Sequence, residues 1–106
     1  FKLLNSGRGF IKNLMKNTYI GCCMAFRRSV LSYSLPFPSN IPMHDVWIAL
    51  NVDFRKGNIL FYEKPLILYR RHGDNTSSCS EPSRRPLKDK LRDRLNLLKS
   101  IYKYSR

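Results

Sequence analysis

Three short stretches of this chain carry residue types that can do chemistry. His44-Asp45 follows Ile41-Pro42-Met43 and opens a run patterned as a helix. A carboxylate in a first helical turn is stabilised as the anion by the exposed amides and the helix dipole. Held rigidly there, it can accept the proton of a substrate hydroxyl. The same Asp also suits a first turn for stability alone. Trp47 belongs by default to a core, and its other use is as a stacking face for a sugar ring. The second stretch, Tyr69-Arg70-Arg71-His72-Gly73-Asp74-Asn75, stands where an apolar run passes into a polar one. Arginines and a histidine at a strand end suit an anion or a metal-bound phosphate, though a strand end meeting water is polar in any case. The third runs from Asn17 to Arg28 and is apolar from Tyr19 to Phe26. Gly21 inside it marks a weak point in a strand or a close backbone approach, while Cys22 to Phe26 suit packing.

Elements must position these groups. Phe10, Ile11, Leu14 and Met15 at helical spacing predict a short helix near 10–16, and Tyr19 to Phe26 reads as a strand covered on both faces. Arg27 to Ser34 reads as a short helix, and the prolines at 36, 38 and 42 make an extended loop. Met43 to Lys56 is the clearest helix of the first half, with Met43, Val46, Trp47, Leu50 and Phe54 as its apolar stripe and Gly57 at C′. Asn58–Tyr62 and Leu66–Tyr69 read as strands, and Arg70 to Arg85 as a loop. A basic amphipathic helix spans 86–104, with Leu87, Leu91, Leu95, Leu98 and Tyr102 on one face. This alternation predicts an α/β domain over residues 1–85 followed by the helical segment 86–106.

Composition narrows the partners without choosing one. The 106 residues hold 20 Lys+Arg against 7 Asp+Glu, a net charge of +13. A polyanionic neighbour follows: nucleic acid, an anionic membrane face or a sugar-nucleotide diphosphate. The 42 % apolar content supports a core, and no apolar run reaches the ~20 residues that span a bilayer. Cys22, Cys23 and Cys79 have no metal or redox spacing, so three free thiols in a reducing, cytoplasmic compartment are expected. The chain starts Phe1-Lys2-Leu3-Leu4, without Met or a leader pattern, as expected of a piece of a longer protein.

Four strings in order resemble the C-terminal, acceptor-side half of family 2 glycosyltransferases of the GT-A fold. They are Tyr19 to Arg28, Leu35-Pro36-Phe37-Pro38, Ile41-Pro42-Met43-His44-Asp45-Val46-Trp47, and Pro65 to Asn75. Their nearest likeness is to bacterial rhamnosyl- or galactosyl-type transferases of cell-surface polysaccharides. The resemblance implies half of a mixed sheet flanked by helices. It implies inversion at the anomeric carbon of a nucleotide-sugar, with transfer to a glycan or lipid-linked acceptor. Asp45 falls where the family keeps its catalytic base, written Glu-Asp there and His-Asp here. His44, Trp47, Gly21 and Cys22 would border the acceptor, and Arg70 and Arg71 the donor phosphates. His72 would be a late ligand to a divalent metal, Mg²⁺ or Mn²⁺.

The departure is that no Asp-x-Asp occurs in the 106 residues, so the N-terminal nucleotide-binding half is expected elsewhere and this piece is expected to be inactive alone. A half-sheet would expose an edge and self-associate. The terminal helix is expected to pack its Leu face on the domain, with its basic face available to an anionic membrane at the inner surface. The rival reading is a basic nucleic-acid-binding module, which the charge favours and the lack of any recognisable binding motif does not. A metal phosphohydrolase would need more ligands than two histidines supply.

Overall fold

The computed structural model describes residues 5–68, 70 and 85–105. Four helices lie among them: α1 (Phe10–Met15), α2 (Leu31–Ser34), α3 (His44–Phe54) and α4 (Leu87–Tyr104). Single 3₁₀ turns occupy Gly21–Cys23 and Arg28–Val30, the second running directly into α2.

No residue described is in a strand, and the α/β half-sheet expected from sequence is not there. The reason is visible in each apolar run. Tyr19 to Phe26 is interrupted at Gly21, where Cys23 donates to the Ile20 carbonyl and Met24 to the Gly21 carbonyl. Those bonds close a turn and remove the amides a ladder would use. Residues 58–68 have no ladder partner among the described residues, and Leu60, Leu66 and Leu68 are exposed. An apolar run of this length has the same composition whether it pairs, coils or extends, so periodicity could not separate these outcomes. Among the described residues there is no strand and so no cut sheet edge of the kind on which the expected self-association rested.

The helices stand close to where the pattern put them, around a centre the pattern did not reveal. α3 is the axis of the molecule: Asp45 through Asn51 are all buried. Its contacts are not the single stripe that Met43, Val46, Trp47, Leu50 and Phe54 suggested, because Met43 and Phe54 are exposed at its ends. Val46, Trp47, Ile48 and Leu50 meet Leu14 of α1, Val30, and Leu97 and Ile101 of α4 in one core. A six-residue helix such as α1 cannot persist unaided. Packing holds it, with the Phe10 ring 5.6 Å from that of Phe54 and Leu14 inside the core.

Side-chain hydrogen bonds fix the joints. Asn13, 1 % exposed, donates to the carbonyls of Gly7 and Gly9 at 2.9 Å each and accepts from the Thr18 hydroxyl at 2.7 Å. Tyr19 donates its hydroxyl to Asp53 at 2.7 Å, bolting this corner to the end of α3. Burial of the ring, and then the bond to Asp53 and its negative charge, push the Tyr19 hydroxyl well above the usual tyrosine range. At the C-terminus of α3 the Gly57 amide donates to Val52 O at 2.8 Å and that of Lys56 to Asp53 O at 3.0 Å, a Schellman ending. Lys56, not Gly57, carries the left-handed φ of 56°.

α4 departs from expectation in which face it buries. Leu97, Ser100 and Ile101 go inward, and Tyr104 stands edge-on to Trp47 at 5.7 Å. The more conspicuous Leu87, Leu91, Leu95, Leu98 and Tyr102 remain exposed. So the expected packing of that Leu face on the domain is replaced by a neighbouring face. No helix of the described residues is long and apolar enough to cross a membrane.

Candidate functional site

Asp45 is the second residue of α3, after Met43 as N-cap and His44. Met43 has extended backbone and no side-chain cap, so the opening turn of the helix takes its stabilising oxygen from Asp45 instead. Oδ1 of Asp45 accepts from the Val46 amide at 2.8 Å. Oδ2 accepts from the Gly21 amide at 3.0 Å, across 24 positions of sequence. The side chain is buried, 6 % exposed. Two backbone donors, one on each oxygen, therefore lock its rotamer without any flexible partner. A carboxylate has about four acceptor positions, so it retains capacity for a substrate hydroxyl.

Gly21 meets this carboxylate at a distance no other residue allows comfortably. A Cβ at position 21 would lie 3.1 Å from Oδ2 and 3.3 Å from the Cβ of Asp45. The absence of a side chain is what lets the turn Gly21–Cys23 sit against the helix start. Cys22 and Cys23 follow on the exposed side of that turn, their sulfurs 3.8 Å apart.

The remaining candidates separate into neighbours, core and residues outside the description. His44 is exposed, its ring 6.4 Å from that of Phe37, so the loop string Leu35–Pro38 also reaches the start of α3. Trp47 is fully buried. Its indole N–H goes to the Ser34 carbonyl at 2.8 Å, which corrects the expectation that it borders an acceptor: it has no open face to stack on a sugar. Arg70 is exposed, while Arg71 and His72 lie outside the described residues. Beside the start of α3, Pro42, Met43 and Val46 form one wall of a cleft of about 170 Å³, with Arg94 and Leu97 of α4 opposite.

No three His, Cys, Asp or Glu side chains gather among the described residues. The two carboxylates of α3 accept from different partners, Asp45 from backbone amides and Asp53 from Tyr19. The described residues do not by themselves make a divalent-metal site.

Sequence reasoning missed Asn13 and Asp53, whose network holds the Asn17–Arg28 string in register with α3. Their partners are local turns or residues 34 positions away, and no sequence pattern pointed to them. No protein-family model matches the chain, and neither the curated proteins nor the solved structures yield a match.

Proposed function

We propose that this chain supplies the acceptor side of an inverting glycosyl transfer, with Asp45 as the base. The observation that carries the reading is the 3.0 Å bond from the Gly21 amide to the Asp45 carboxylate. Two strings singled out separately, and resembling two parts of one transferase site, touch through the residues those strings were chosen for.

In the proposed step, Oδ of Asp45 takes the proton of the acceptor hydroxyl while that oxygen forms its bond to the anomeric carbon. The bond from that carbon to the diphosphate oxygen breaks on the opposite face, and its electron pair leaves with the nucleoside diphosphate. Attack and departure from opposite sides invert the centre. A base fixed by backbone donors loses little freedom in reaching this geometry, which is the source of its advantage over a mobile side chain. The sequence has no Asp-x-Asp, so on this reading most of the donor binding would come from residues other than these 106. Arg70 and Arg71 would lie near the same phosphates, and the transfer would build a cell-surface polysaccharide.

Asp45→Asn tests the reading in the complete polypeptide that the gene encodes. The Asn oxygen can accept from only one of the Gly21 and Val46 amides while its NH2 faces the other, so far-UV dichroism and a thermal melt must accompany the assay to separate loss of the base from loss of fold. Transfer should fall by about 10²–10⁴-fold with nucleotide-sugar affinity unchanged. Transfer at the parent rate would refute Asp45 as the base.

A further inference from the structure

α4 has two apolar faces and needs only one of them for the fold. Leu97 and Ile101 enter the core. Leu87, Leu91, Leu95, Leu98 and Tyr102 remain between 37 % and 74 % exposed. At 3.6 residues per turn these five lie within about 80° of arc, a continuous stripe along the whole helix. The same geometry sets Lys88, Arg92, Lys99 and Lys103 along one border, while Lys90 and Arg94 on the other side face the domain, Arg94 donating to the Met15 carbonyl. The two acidic residues of the helix are turned away and engaged, Asp89 with Arg92 at 3.0 Å and Asp93 with Arg85 at 2.8 Å.

We infer that this stripe of α4 rests in the surface of an anionic lipid bilayer, the helix lying in the plane of the membrane. An exposed apolar strip with a row of cations along one border matches the boundary between acyl chains and phosphate headgroups. A second copy of the chain fits poorly, because each carries +13 and would set basic borders against basic borders. Headgroups also have a place to sit. A cleft of about 330 Å³ between residues 38–40 and α4 is lined by Ser39, Asn40, Lys99 and Lys103, on the side of the basic border. The Ser100 hydroxyl, bonded to Asn40 at 3.2 Å, fixes its floor. This surface is independent of Asp45, and either reading can fail without the other.

Vesicle flotation of the 106-residue chain tests it, comparing phosphatidylcholine alone with phosphatidylcholine containing about 30 % phosphatidylglycerol. Affinity for the anionic vesicles should exceed that for neutral ones by about tenfold or more. The exposed pair Leu91→Ser/Leu95→Ser should lose about tenfold or more, and Lys99→Gln/Lys103→Gln about fivefold or more. Far-UV dichroism and the emission of the single Trp47 should stay unchanged in both. Should the Ser pair unfold the helix, Leu91→Trp keeps it apolar, and quenching of the new indole by brominated lipid reads insertion directly. Equal binding to both vesicles, a Ser pair that binds like the parent, an unquenched indole, or a dimer that dissociates on Leu replacement without binding vesicles would each overturn the inference.

Discussion

The amide of Gly21 and the carboxylate of Asp45 are joined at 3.0 Å, and a Cβ at position 21 would press on that carboxylate at 3.1 Å, closer than ordinary van der Waals contact. The contact makes the start of α3 and the turn Gly21–Cys23 one unit.

Gly21→Ala should therefore destabilise the fold by about 1–3 kcal/mol, the usual cost of forcing extra atoms into a packed contact. Part of that cost should vanish when Asp45→Ala is added, because the second change removes the atoms being struck. A double-mutant cycle by urea denaturation measures the coupling, and strict additivity would show that position 21 tolerates a side chain.

Tyr19 predicts a dependence on alkaline pH. Its hydroxyl is raised above its ordinary value of about 10 by burial first and by Asp53 second. The folded state thus holds the proton more tightly than the unfolded state. The stability this confers is complete below about pH 10 and is lost as pH rises from there towards the folded value. Tyr19→Phe should remove that limb, so its stability should fall less steeply above about pH 10 than the parent's. Parallel alkaline slopes in denaturant titrations would contradict it.

The end of α3 offers a test in which one substitution helps and its neighbour harms. Lys56 holds φ at 56°, a conformation that costs a non-glycine residue about 1 kcal/mol. Lys56→Gly should gain up to about 1 kcal/mol, less the freedom glycine has when unfolded. Gly57→Ala should lose about 1–3 kcal/mol, because its Cβ would stand 2.7 Å from Cγ1 of Val52, a stiff side chain in a helix. Thermal melts of the two variants should move in opposite directions.

The helices were legible because their signals are local: the 3.6-residue period, the proline loop before α3 and the basic run closing the chain. The ending of α3 was nearly so, displaced by one residue because Lys56 takes the strained position and Gly57 the crowded one. The sheet was misread because strands are made by partners, and Tyr19–Phe26 and residues 58–68 show only composition. Trp47 looked ambiguous for a related reason, since its indole is committed to a carbonyl 13 positions earlier, which no spacing displays. In α4 the stripe that stands out by composition is the exposed one. The buried face, with Leu97, Ser100 and Ile101, is mixed in character and shorter. Of the candidate site, the pairing of Gly21 with Asp45 was foreshadowed only by resemblance, while Asn13 and Asp53 had no local pattern to announce them.

α3 is enclosed on every side from Asp45 to Asn51, whereas residues 58–68 touch the core on one side at most, Phe61 stacking on Tyr19 at 5.8 Å. Openings that expose the α3 backbone must therefore dismantle contacts with α1, α2 and α4 together, and approach the free energy of global unfolding. The carboxylate at its N-terminal end inherits that resistance. Its position is held by the most enclosed helix described, and the looser contacts lie at the periphery.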